Sequence, residues 1–233
     1  MKIFIVAGGT GGHIYPALSV AREFKKNSSK VFWVGKKFSL EEKIAKDEEF
    51  KFLTLNTSGY QGKNILGKVK AIFELSIALI KALYLLSTLK PDIVFSTGGY
   101  TSLPVGFASY CLRIPLFIHE QNSVPGLSNR ILSKLSKITF EGFPNSFRNT
   151  NNGIFVGNPL REEIFRQPKE KDKEDTDCEP FNILVLGGSQ GSSQLNLLFV
   201  LVKTPSVISS SPTPANLNTS SSASSFNTVK TSS

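Results

Sequence analysis

An apolar run, Lys2-Ile3-Phe4-Ile5-Val6-Ala7, passes without a polar break into Gly8-Gly9-Thr10-Gly11-Gly12-His13, and helical periodicity follows. Four glycines between a strand and a helix let the backbone come close to a ligand where a Cβ would block it. A helix start offers unpaired N–H groups and partial positive charge, which suits an anion. His13 stands at the same place, with a side chain that changes charge near neutral pH. On these residues alone two readings stand: a phosphate cradle beside a base, or a tight turn with His13 as helix cap. Two commoner glycine loops are excluded. No Lys-Ser/Thr follows, as a P-loop requires. Ile14 occupies the third-glycine position of a dinucleotide fingerprint, and Lys36 and Lys37 follow the second strand where an acid would hold a ribose.

The same alternation continues. Strands are expected at 2–7, 30–35, 50–55, 92–95, 115–119, 137–141 and 153–156, and helices at 14–27, 39–47, 64–88, 102–112 and 124–135. Strand–helix alternation of this kind specifies a parallel sheet covered on both faces. Ligands of such sheets sit beyond the carboxyl ends of the strands. Three loops fall there: 8–12, Gly98-Gly99, and His119-Glu120-Gln121-Asn122.

Residues 1–165 therefore read as one Rossmann-like α/β domain. A charged linker follows at 166–180. Residues 181–200 begin a second such domain, with a strand at 181–186 and a second glycine loop, Gly187-Gly188-Ser189-Gln190-Gly191. Beyond it, 16 of the last 33 residues are Ser or Thr and none is acidic, so 201–233 is expected to be disordered. The break points to truncation or a frameshift near 198–203, or to a natural short form.

A chain of 233 residues with 40% hydrophobic residues has ample material for a core. Cys111 and Cys178 form no disulfide framework, and with two histidines no metal centre is expected. The opening run is a strand and not a leader, so a cytoplasmic protein is expected. The net charge of +9 comes without a basic helix, zinc spacing or RNA-binding motif, which argues against nucleic acid. An anionic membrane surface fits better. The stretch 65–89 is strongly apolar but interrupted by Glu74 and Lys81, against a spanning helix. It suits a helix on one face of the sheet. Flanked by Lys63, Lys68, Lys70, Lys81 and Lys90, its outer side also suits anionic lipid.

Five motifs occur in order: Gly8–His13; Gly98-Gly99-Tyr100; His119–Asn122 with Pro125-Gly126 and Asn129-Arg130; Gly157-Asn158-Pro159-Leu160-Arg161; and Gly187–Gly191 with Leu195-Asn196. Together, over residues 1–198, they resemble the MurG family. The resemblance implies a GT-B fold of two Rossmann-like domains. It implies inverting transfer of N-acetylglucosamine, without a metal or other cofactor, from UDP-N-acetylglucosamine to lipid I, undecaprenyl-diphosphoryl-N-acetylmuramoyl-pentapeptide. The product is lipid II of peptidoglycan synthesis. It implies a peripheral enzyme on the cytoplasmic face of the bacterial plasma membrane, among other cell-wall synthesis proteins.

By the same resemblance Thr10, Gly11, Gly12, Asn122, Arg161 and Ser189 belong to the donor-binding set, and Gly98, Gly99, Tyr100, His119 and Gln121 to the acceptor-diphosphate loops. His13 is the candidate base, because a helix N-terminus favours neutral imidazole. Glu120 is the alternative, with His119 orienting its loop. Lacking most of a donor domain, the chain is expected not to turn over alone. A non-catalytic acceptor-binding or membrane-docking module, or another GT-B UDP-sugar enzyme, are the competing readings.

Overall fold

Every residue from Ile3 to Ala7 is fully buried. An apolar run without alternation achieves this only where helices cover both faces of a sheet. The computed structural model describes residues 1–57, 65–147 and 152–160, with backbone only for 65–69. Arg161, Ser189, the linker 166–180, the second strand and loop within 181–200 and the tail 201–233 lie outside the described residues.

The described elements are β1 (Lys2–Ala7), α1 (Gly11–Lys26), β2 (Lys30–Gly35), α2 (Leu40–Asp47), β3 (Lys51–Thr54), α3 (Ile65–Leu89), β4 (Ile93–Gly98), α4 (Ser102–Cys111), β5 (Leu116–Glu120), α5 (Leu127–Leu132), β6 (Ile138–Glu141) and β7 (Gly153–Phe155). The strands form one sheet in the order β3-β2-β1-β4-β5-β6-β7, and every pairing is parallel. This is the expected Rossmann-like α/β arrangement. The order reverses between β1 and β4, so the loops leaving these two strands diverge and open a crevice.

Alternate residues of β1 feed two cores. Phe4 and Val6 face α3 and α4 and pack with Ala78, Ala82, Leu86, Val105 and Ala108. Ile3, Ile5 and Ala7 face α1 and α2 and pack with Ile14, Ala17, Leu18, Ala21, Ile44 and Ala45. In α3 the buried stripe is Ala71, Ala78, Ala82 and Leu86, while Phe73, Ile77, Ile80 and Tyr84 are exposed. From Lys70 to Leu89 this helix also meets the length and hydropathy of a membrane span. Here its small-residue stripe is packed on the sheet instead.

Three elements differ from expectation by more than one residue at an end. β4 runs on to Gly98, because the polar Ser96 and Thr97 are buried with their hydroxyls bonded to Ser102 Oγ and the His13 carbonyl, both at 2.8 Å. α1 starts three residues early, inside the glycine loop, with Thr10 as N-cap. α5 is half the expected length because the chain stays extended through Gly126 (φ −63°, ψ 155°), whose N–H is bonded to Glu120 Oε2.

At the sheet's reversal the pairing ends on Ala7 opposite Gly98, after a register shift at Val6/Ala7. Gly99 follows with φ +95°, and a Cβ there would run into the Gly8 carbonyl. Gly9 has a similar φ of +97° but open space around it. Gly9→Ala should therefore cost about 1 kcal/mol, the ordinary cost of a left-handed residue. Gly99→Ala should cost at least about 1 kcal/mol more, read as a lower denaturant midpoint. Equal losses would mean that the Gly8–Gly99 contact does not constrain the fold.

Candidate active site

The crevice at the β1/β4 reversal holds a cavity of about 310 Å³, walled by Gly8, Gly9, Thr10, His13, Gly98–Tyr100 and Gly126–Asn129. A larger cavity, about 520 Å³, lies on the outer side of α1 around Ser19, Phe24 and Leu160 and holds none of the predicted site residues. The smaller cavity carries the chemistry. Thr10 caps α1 with its carbonyl, which accepts from His13 N at 3.0 Å and Ile14 N at 3.2 Å. Its hydroxyl makes no capping bond, and no acid occupies the first turn. The Gly11 and Gly12 N–H groups thus keep the positive end of a 16-residue helix open to an anion.

His13 is half-buried on the third residue of that turn. Gly98 makes room for it, since a Cβ there would stand 3.1 Å from His13 Cε1 and 3.2 Å from Nδ1. The ring's Nδ1 lies 2.8 Å from Gln121 Oε1. Nε2 has no partner among the described residues. Tyr100 is half-buried on the opposite wall.

The β5 loop is arranged differently from expectation. Glu120 is fully buried. Its Oε1 accepts from the Asn122 backbone N at 3.0 Å and Asn122 Nδ2 at 2.9 Å. Its Oε2 accepts from Gly126 N and Asn129 Nδ2, each at 3.0 Å. Four donors saturate the carboxylate, so Glu120 ties down the loop and is not placed to take a proton. Asn122 spends its amide N–H on that carboxylate and keeps Oδ1 for a ligand.

His119 and Gln121 are buried behind His13, away from the cavity wall. His119 Nε2 is 2.9 Å from the Gly157 carbonyl, and its Nδ1 is 3.0 Å from Gln121 Nε2. Burial pushes the His119 imidazole below its ordinary pKa, against smaller opposing effects of the Gly157 carbonyl and Glu120. The ring is therefore neutral. The Gly157 turn is fastened to the same loop by Asn158 Nδ2, which donates to the Gln121 carbonyl at 3.1 Å.

Two residues given no role by sequence reasoning complete the site. Thr97 Oγ1 pins the His13 carbonyl. Asn129, 1% exposed, donates from Nδ2 toward Glu120, the His119 carbonyl at 3.1 Å and the Thr97 carbonyl at 3.3 Å. Its buried Oδ1 has no partner among the described residues. The signal in the sequence was Asn129 at the helix that follows Pro125-Gly126, where Ser128, Asn129 and Leu132 form the buried side.

The N-terminal domain profile of glycosyltransferase family 28 matches residues 3–140. A Coxiella burnetii (strain Dugway 5J108-111) protein named UDP-N-acetylglucosamine–N-acetylmuramyl-(pentapeptide) pyrophosphoryl-undecaprenol N-acetylglucosamine transferase is 42% identical over 195 residues, 84% of this chain and 54% of that protein. A Buchnera aphidicola protein of the same name is 41% identical over 198 residues, 85% of this chain and 56% of that one. The crystal structure of Acinetobacter baumannii MurG aligns with a TM-score of 0.65 at 34% identity, over 84% of this chain and 55% of that chain. The chain thus spans about half the length of the curated relatives it matches. With a single family profile matching well over half of its 233 residues, the chain belongs to glycosyltransferase family 28.

Proposed function

We propose that this chain is the acceptor-side part of an inverting N-acetylglucosaminyltransferase that converts lipid I to lipid II with UDP-N-acetylglucosamine. The observation that carries the reading is the coincidence, in one crevice, of an open helix N-terminus and a half-buried His13 with a free Nε2. The Gly11 and Gly12 N–H groups and the Thr10 hydroxyl take a phosphate of the donor, where no side chain intervenes. Asn122 Oδ1 accepts from a sugar hydroxyl. Gly98, Gly99 and Tyr100 form the wall against the lipid-linked diphosphate. His13 Nε2 takes the proton of the acceptor 4-hydroxyl as its oxygen attacks the anomeric carbon and the bond to UDP breaks, with UDP carrying off the electron pair. Glu120 has no proton-transfer part in this reading. Arg161 and Ser189 remain proposed donor contacts.

The outer stripe of α3 gives the proposed site on anionic lipid. Phe73 and Ile80 are 66% and 68% exposed. Beside Ile77 a cleft is lined by Lys36, Lys37 and Phe38. Phe38 is 89% exposed, with Lys37 Nζ 5.0 Å from its ring centroid. Apolar side chains beside Lys36 and Lys37, with Glu74 the one acid lining that cleft, support docking on a bilayer surface with anionic headgroups, and in this reading the protein sits peripherally on the membrane that carries its acceptor.

Three outcomes are expected. In an enzyme of full family length, His13→Ala should lower kcat about 10²–10⁴-fold with little change in donor KM, and unchanged turnover would remove His13 as the base. Gly12→Ala has space, its Cβ meeting only Thr10 Oγ1 at 3.6 Å, so folding stability should hold or rise by up to about 1 kcal/mol. Donor KM should nevertheless increase, and an unchanged KM would mean that no phosphate approaches Gly12. Phe73→Asp with Ile80→Asp should reduce co-sedimentation with anionic vesicles at least roughly tenfold, each lost apolar contact being worth about 1.5–3 kcal/mol at full burial. Retained binding would place the lipid surface elsewhere.

A further inference from the structure

Four groups stand in line from the crevice to the turn after β7: His13, Gln121, His119 and the Gly157 carbonyl. Proton positions along the line follow from its last member, which has no chemical freedom. A carbonyl only accepts, so His119 Nε2, 2.9 Å away, carries a hydrogen. The His119 ring is buried and kept neutral by desolvation, so its Nδ1 is a lone-pair acceptor. The Gln121 atom 3.0 Å from that Nδ1 is then the amide nitrogen, whose position within 3.0 Å of the His119 carbonyl agrees. The amide oxygen is left facing His13 Nδ1 at 2.8 Å. An amide oxygen only accepts, so the hydrogen lies on His13 Nδ1.

We propose that Gln121, oriented by His119, is a positioning residue that locks His13 in its Nδ1–H tautomer and leaves the Nε2 lone pair facing the crevice. The inference rests on the reading of His13 as the base. A histidine takes its tautomer from the bond its other nitrogen makes. Without Gln121 the ring is free to carry its hydrogen on Nε2, which presents a donor where the acceptor hydroxyl needs a base. The amide cannot rotate to spoil this, because a flip would set its oxygen against the His119 carbonyl and Nδ1 lone pairs at once. Gln121 itself is 7% exposed, and its backbone is held by Asn158. The line thus ties the state of the base to the Gly157 turn.

The 233-residue chain has two histidines, so long-range ¹H–¹⁵N imidazole spectra resolve both rings without any turnover. At about pH 8.5, well above the ordinary imidazole range, His13 should show a protonated Nδ1 and an unprotonated Nε2, and His119 the reverse. Gln121→Met fills the same space without an acceptor and should shift the His13 tautomer ratio roughly tenfold toward Nε2–H, about the equilibrium weight of one hydrogen bond. His119→Asn returns an acceptor oxygen near the Nδ1 position and should keep His13 protonated on Nδ1. An Nε2–H signal for His13 in the unaltered chain, or an unchanged ratio in Gln121→Met, overturns the proposal. So does loss of the Nδ1–H signal in His119→Asn. If Gln121→Met does not fold, the unaltered chain's spectrum decides alone. Full turnover in His13→Ala would defeat the base reading and leave this tautomer result standing, so the two failures are distinguishable.

Discussion

The backbone contact between Gly8 and Gly99 is the constraint on which the rest of the site depends. A parallel sheet whose order reverses at β1/β4 sends its two central loops apart. How close their starting points lie is set by what stands between them. Here nothing does: the Gly99 Cα faces the Gly8 carbonyl with no room for a Cβ. The crevice floor is therefore bare backbone. α1 can begin within that floor at Gly11, so its open N–H groups and the ring of His13 reach the same small volume. A side chain at position 98 or 99 would separate the anion site from the base.

Behind that floor lies an unusually polar layer for a protein interior. His119, Glu120, Gln121 and Asn129 are all below 8% exposed. Such groups are tolerable in low dielectric only when nearly every donor and acceptor is matched. The Glu120 carboxylate, which would be most costly to bury alone, has four donors. Its negative charge favours protonating His119, yet desolvation outweighs it. The outcome is a rigid, satisfied layer in which a neutral histidine and a fixed amide set the orientation of His13. The Asn129 Oδ1 is the exception, a buried acceptor without a partner among the described residues.

What the sequence revealed and what it hid divide along the range of the interactions. Local patterns placed all seven described strands to within a few residues, because apolar runs bounded by turns need only their own composition. Ser96 and Thr97 looked like the end of a strand; only partners on α4 and α1 make them its continuation. Glu120 shows the limit most clearly. A carboxylate beside a histidine in a polar loop reads as acid–base chemistry, and the sequence holds no sign that Gly126 and Asn129, six and nine residues on, occupy its second oxygen while Asn122 occupies the first. His119 and Gln121 belong by resemblance to the acceptor-diphosphate loops, with His119 orienting its loop. Their side chains bond each other, His13 and a turn nearly forty residues downstream, which no local pattern shows.

The size order along α3 carries a further argument. A helix that only had to cover a sheet would bury its largest side chains, at about 25 cal/mol per Å² of apolar surface. This helix turns alanines inward at 71, 78 and 82 and leaves Phe73, Ile77, Ile80 and Tyr84 in contact with solvent. The alanines let it lie close to the sheet and to α4, with Ala78, Ala82, Val105 and Ala108 in one cluster. They do not account for the outer stripe, which costs solubility unless something apolar covers it. α3 returns from β3 to β4 in an all-parallel sheet, so it starts at the edge where the crevice opens. From Ile77 the cleft passes Lys36, Lys37 and Thr57, and Thr57 Oγ1 lies 3.2 Å from Thr101 Oγ1, two residues beyond Gly99. The proposed lipid surface thus begins at the same edge of the sheet as the proposed site of transfer.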